Sequence, residues 1–226
     1  MPQPFWMFGK KNSATDMKIV YRGGYNKHSE ESTKNSLIFE YADIVKELLS
    51  KGKKVVYVTL AKPDGFYDEY FYPLLPKTIQ VVDSKNLDNV NWSDFDVIFL
   101  LGGLTIQLDE CLRRSKFSLE SLKEDVVLVG DSAGAYVLSK YYFEDHDDVN
   151  VILEFRKGFC PQSRVITVAH VNNPHYVTPK ILEEVHVFAK EKGIRVLELI
   201  ENESKLLDSE GNFVDFDINQ LFEKII

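Results

Sequence analysis

The sequence is poor in the residues from which soft-metal sites and disulfide frameworks are built. Only two cysteines, Cys111 and Cys160, and five histidines occur in 226 residues. Two isolated cysteines supply no zinc-ligand spacing and no disulfide framework, so free thiols in a reducing compartment are expected, with no metal and no cofactor. Positive charge is short as well: 27 Lys and Arg stand against 35 Asp and Glu, a net charge of −8. A protein that grips phosphate backbones carries a basic face, so nucleic acid is not expected as a partner. Long apolar runs are missing too. None approaches the ~18 residues of a membrane span, and no membrane partner is expected. Internal repeats and low-complexity tracts are likewise absent. What is present is an ordinary globular balance, 44% hydrophobic and 27% charged, which excludes global disorder and suffices for one sizeable core.

The first 16 residues, MPQPFWMFGKKNSATD, stand apart. Phe5 to Phe8 form a short apolar knot that lysines follow rather than precede, and it falls short of the ~7–15 residues of a signal-peptide core. The expectation is a non-secretory extension, residues 1–16, ahead of one domain, residues 17–226, in the cytoplasm. The extension is expected either to be disordered or to pack onto the domain or a second copy, which leaves a homodimer open.

Strand and helix patterns alternate from residue 17 to residue 140. Lys18–Tyr21, Val55–Leu60, Ile79–Val82, Asp96–Leu101 and Asp125–Val129 read as strands. Several are continuously apolar, as strands buried on both faces are. Apolar residues at spacings of three and four predict a helix over Ser36–Ser50, closed by Gly52. Further helices are expected over Thr105–Arg114, Tyr136–Lys140, Pro179–Lys192 and Ile218–Ile225, and late strands near Val196–Leu199 and Lys205–Leu207. The run Glu144–Asp148 reads as a solvated loop. The fold class is therefore α/β, a three-layer sandwich around a mostly parallel sheet. Active sites in such sheets lie at the carboxyl ends of the strands, which places Gly102–Gly103 and Gly130–Gly134 on one edge.

Gly130-Asp131-Ser132-Ala133-Gly134, after a buried strand and before a helix, is a nucleophile elbow. Its serine sits on a sharp turn, and the N–H groups behind it can face a developing oxyanion. A serine nucleophile needs a base, usually histidine, and often a carboxylate behind it. His28 and His146 fall in polar segments and His186 within a helix. His170 and His175 remain, in a loop just before a helix, with His175 the favoured base.

Three segments carry a family resemblance: Phe99-Leu100-Leu101-Gly102-Gly103-Leu104-Thr105-Ile106-Gln107-Leu108, Gly130-Asp131-Ser132-Ala133-Gly134-Ala135 and Asn173-Pro174-His175-Tyr176. In order and spacing they resemble the peptidase E (alpha-aspartyl dipeptidase) and cyanophycinase family of serine peptidases, over roughly Lys18 to Phe216. The resemblance implies a class I glutamine amidotransferase-like fold and hydrolysis of short peptides, Asp-X dipeptides among them. It implies Ser132 as nucleophile, His175 as base, and the N–H groups of Gly103 and Ala133 as oxyanion donors. It implies a late glutamate as third member: Glu203, four residues before Leu207, or Glu201 as runner-up. An acidic substrate side chain would need a cation, for which Arg156 and Arg164 are the arginines between nucleophile and histidine. Two positions depart from the family: Leu104 stands where Asn or Asp is usual, and Asp131 where the residue is usually uncharged. They favour a non-hydrolytic binding relative as the second reading. A lipase-like esterase is the third, weakened by the lack of any His-Gly oxyanion loop and by the short C-terminal half.

Overall fold

The computed structural model describes residues 17–26, 41–67, 75–146, 151–207, 212–214, 216 and 221–222. The first 16 residues, His28, the start of the first expected helix and most of the last one lie outside them.

The elements in chain order are β1 (Lys18–Arg22), α1 (Ala42–Ser50), β2 (Val55–Val58), β3 (Gln80–Val82), β4 (Val97–Leu100), α2 (Thr105–Arg114), β5 (Val127–Asp131), α3 (Ala133–Val137), β6 (Tyr141–Asp145), β7 (Leu153–Lys157), β8 (Val165–Val168), α4 (Pro179–Lys192), β9 (Arg195–Glu198), β10 (Ser204–Leu207) and β11 (Phe213–Val214). Seven strands form one sheet in the order β11-β10-β1-β5-β4-β2-β3. Its five strands from β1 to β3 run parallel; β10 and β11 are antiparallel.

Successive side chains of a strand point to opposite faces, and here both faces are covered. Ile19, Tyr21, Val56, Val58, Ile98, Leu100 and Leu128 pack into one core with Leu108 and Leu112 of α2 and Ala135 and Val137 of α3. Their neighbours Val20, Val55, Tyr57, Val97, Phe99, Val127 and Val129 pack into another with Val45 and Leu48 of α1. That is why these strands carry no polar alternation, and it makes the three layers.

A second sheet, β7-β6-β8-β9, holds the later strands. It was not legible as a sheet, and it corrects the start of the loop expected at Glu144–Asp148: Glu144 and Asp145 pair with Glu154 and Leu153 across β6 and β7, while residues 147–148 lie outside the described residues. Helix α3 begins three residues before the expected start at Tyr136. Helix α4 matches expectation. Thr178 Oγ1 accepts from the Ile181 N–H at its start, Pro179 occupies the first turn, and Gly193 ends it in a left-handed conformation. Among the described residues no helix is long and apolar enough to cross a membrane.

Candidate active site

Strand β5 runs through Gly130 and Asp131, and α3 starts at Ala133, so a single residue, Ser132, makes the corner. Its backbone is left-handed, φ 49° and ψ −106°. The flanking glycines make the corner sterically accessible. A Cβ on Gly130 would lie 2.5 Å from the Gly134 backbone, and one on Gly134 would lie 2.1 Å from the Leu100 carbonyl oxygen. The Ser132 N–H donates to the Arg22 carbonyl of β1 (3.1 Å).

Ser132 Oγ lies 3.0 Å from His170 Nε2, and His170 Nδ1 lies 3.1 Å from Glu201 Oε1. Asn173 Nδ2 donates to that same glutamate oxygen at 2.8 Å. The His170 and Glu201 side chains are 8% and 9% exposed, so this chain of polar groups is largely closed to water yet fully partnered. The loops that carry them interlock through the backbone. His170 N–H donates to the Gly23 carbonyl, Gly23 N–H to Glu203, and Asn202 N–H to Gly24. The Ala169 N–H donates to Tyr136 Oη of α3, which ties the histidine loop to the serine's own helix. Tyr176 stacks on the His170 ring, centroids 4.4 Å apart and planes at 27°.

The structure thus corrects two assignments. His175 is exposed and its N–H donates to Asn173 Oδ1; it lies past a turn, five residues beyond the strand-end position that His170 occupies. Glu203 accepts from the Ile200 N–H (3.0 Å) and pairs with Lys205 (3.3 Å), so it braces the turn before β10 rather than a histidine. A usable signal existed. The run Val165-Ile166-Thr167-Val168-Ala169 is a continuous buried strand, and the residue at its carboxyl end is His170.

Neither proposed arginine reaches this site. Arg156 lies on β7 and pairs with Glu154 at 2.8 Å. Arg164 is a left-handed turn residue whose carbonyl accepts from Arg195 N–H. A cavity of about 240 Å³ opens instead beside Ser132 and His170, lined also by Tyr25, Lys62, Gly102, Gly103, Leu104, Asp131 and Tyr176. Gly103 lines this cavity with Ser132, in a φ of 150° where a Cβ would meet the Ala61 carbonyl oxygen at 2.1 Å. Among the described residues, the Gly103 and Ala133 N–H groups have no hydrogen-bond partner in the protein.

Behind the serine lies an ion pair that sequence reasoning missed. Arg22 is fully buried; its Nη1 is 3.4 Å from Asp131 Oδ1, its Nε donates to Ser204 Oγ at 3.2 Å, and its guanidinium lies over the Tyr41 ring. Burial raises the Asp131 carboxyl above its ordinary range, while Arg22, His170 and the Gly24 N–H oppose that rise.

Known proteins share this architecture. A peptidase from an acI-B1 Actinobacterium superposes with a TM-score of 0.54 at 15% identity, over 84% of this chain and 82% of its own. A provisionally assigned peptidase E from Listeria monocytogenes EGD-e gives 0.49 at 18% identity over 88% and 96%, too weak a likeness to bear on the fold. No curated protein matches the chain at a significant level. The model of peptidase family S51 matches residues 28–214, a span that contains the serine corner, the histidine loop and the glutamate turn, and the chain belongs to that family of serine peptidases.

Proposed function

We propose that the protein hydrolyses short peptides through an acyl-enzyme on Ser132, with His170 as base and Glu201 as its partner. The observation that carries this reading is the hydrogen-bonded chain from Ser132 Oγ through both nitrogens of His170 to Glu201, at a left-handed strand-to-helix corner. In this reading His170 Nε2 takes the serine proton as Oγ bonds to the scissile carbonyl carbon. The Gly103 and Ala133 N–H groups receive the resulting oxyanion. The imidazolium, held by Glu201, then gives the proton to the amine as the C–N bond breaks, and water enters by the same route in reverse. The chain order of these groups is Ser, His, Glu, whereas α/β-hydrolase esterases run Ser, acid, His. The reading includes a class I glutamine amidotransferase-like classification, dipeptides as substrates and action in the cytoplasm.

The test is a screen of free dipeptides with wild type and four variants. Ser132→Ala and His170→Ala are expected to lose at least about 10³-fold in kcat/KM, and Glu201→Gln a smaller factor. His175→Ala is expected to stay within a few-fold of wild type. Turnover that survives in Ser132→Ala, or that depends on His175 and not on His170, overturns the mechanism.

A further inference from the structure

The cavity beside Ser132 is lined by charged groups of both signs. Its wall carries a carboxylate, Asp131, whose side chain is only 3% exposed. Arg22 meets Oδ1 at 3.4 Å, well outside the about 2.7–2.9 Å of a strong charge-assisted bond. The Gly24 N–H also donates to this carboxylate, and Oδ2 lies beside the glycine floor: a Cβ built on Gly102 would lie 3.4 Å from it and 3.3 Å from Ser132 Cβ. Two tyrosines line the same cavity. Tyr25 is close enough that the charge of Asp131 adds to burial in raising its hydroxyl pKa, with a smaller contribution from Tyr176. A carboxylate flanked by aromatic rings is a setting for a cation, because the charge and the ring quadrupoles attract it together. A lysine, Lys62, lines the same cavity. It follows Ala61, whose carbonyl accepts the Leu104 N–H, and its ammonium sits 4.9 Å from the centre of the Phe66 ring. Leu104 is 60% exposed at the cavity's edge and supplies an apolar contact rather than a charge.

From this arrangement we infer that Asp131 is a specificity residue: it receives an ammonium group of the substrate residue that acylates Ser132, and it disfavours an acidic side chain there. The ammonium is either the free α-amino group of the peptide or a basic side chain; the chemistry at Asp131 is the same. The inference rests on the peptidase reading of Ser132 and adds to it the sign of charge that the cavity selects.

The test uses the full chain and five substrates of one leaving group: Leu-, Asp- and Lys-p-nitroanilide, and the N-acetyl forms of Leu and Lys. Protection of Ser132 from a fluorophosphonate probe by the same compounds is measured alongside. If the α-ammonium is the ligand, acetylation of the Leu substrate lowers kcat/KM by about 10²-fold or more. If the side chain is the ligand, N-acetyl-Lys is cleaved well and N-acetyl-Leu is not. In both cases the Asp substrate trails the Leu substrate. In Asp131→Asn the discrimination should collapse to within about threefold through KM, with the fluorophosphonate still labelling Ser132. Should that variant not fold, the wild-type series decides alone. Equal handling of free and acetylated Leu with no gain for Lys, or preference for the Asp substrate, overturns the inference while labelling of Ser132 keeps the peptidase reading alive. Failure of the probe to label Ser132 in wild type overturns both.

Discussion

Ser132 and His170 share an unusual property: neither is glycine, yet both hold left-handed backbone, with φ of 49° and 60°, and Asn202 beside Glu201 does the same at 66°. Each such residue costs of the order of 1–3 kcal/mol and persists where its surroundings over-determine it. Here the surroundings are the interlocked loops at Gly23–Gly24, His170–Asn173 and Ile200–Glu203. Gly24 is where these loops crowd the histidine ring itself. A Cβ there would lie 2.3 Å from both Cε1 and Nε2 of His170, at a φ of +80°. Gly24→Ala should therefore displace the imidazole by about 1 Å. A displacement of that size typically costs about 10²-fold in rate, while the backbone conformation alone costs only about 1 kcal/mol. The expected pattern is a fall of about 10²-fold in kcat/KM with a small shift of the urea midpoint. A variant within threefold of wild type would show that His170 is not held where the structure puts it. This crowding also explains what sequence could reveal. The serine corner is local, spelled out by five consecutive residues, and was legible. His170 had one local sign, its place at the end of an apolar strand, whereas the choice of Glu201 over Glu203 depends on a left-handed turn and on backbone bonds between three distant loops, which leave no mark in residue spacing.

Elements that were legible are those buried on both faces. Strands β2 and β4, and β5 from Val127 to Val129, are apolar because each alternate residue enters one of two cores. The second sheet escaped notice for the opposite reason. β7 reads Leu-Glu-Phe-Arg-Lys with no fully buried residue, and β6 ends in two acids, so neither resembles a core strand. α3 is five residues long and starts with Ala-Gly-Ala, too short and too small-chained to show a helical period. The core of the first sheet makes a quantitative prediction. Phe99 of β4 is fully buried and stacks on Tyr57 (4.7 Å, 16°) and on Tyr41 (5.7 Å, 29°). Phe99→Ala removes these contacts and leaves a cavity between the sheet and α1. Such truncations cost about 3–5 kcal/mol. Urea unfolding should show a loss in that range, and one below about 1 kcal/mol would mean that this layer is not packed as described.

Across the whole molecule, the two sheets meet along a seam that polar and apolar contacts both cross. Tyr21 Oη of β1 donates to the Leu138 carbonyl, and Ser139 Oγ lies 2.6 Å from Thr167 Oγ1, all among buried groups. Cys160 lies in this seam. It is fully buried in the core shared by β1, α3 and β8, its N–H donates to the Ser139 carbonyl, and burial pushes its thiol up to about 11. At pH 8 a thiol with that pKa is about 0.1% thiolate, and the thiolate is the reactive form. Burial adds a second barrier, because reagent can reach the sulfur only when the seam opens. Cys111 on α2 is half-buried, with its pKa raised mainly by burial, so it is slowed but accessible. The two cysteines therefore become separate clocks. With an aromatic disulfide reagent at pH 8, native protein should lose one thiol slowly, and mass spectrometry should place that loss at Cys111. Cys160 should react only at the rate of global unfolding, rising with urea in step with loss of circular dichroism. If Cys160 reacts in native protein as fast as Cys111, the seam opens without unfolding. The histidine loop, tied across it to the serine's helix through Ala169 and Tyr136, would then be free to separate from Ser132 on the same timescale.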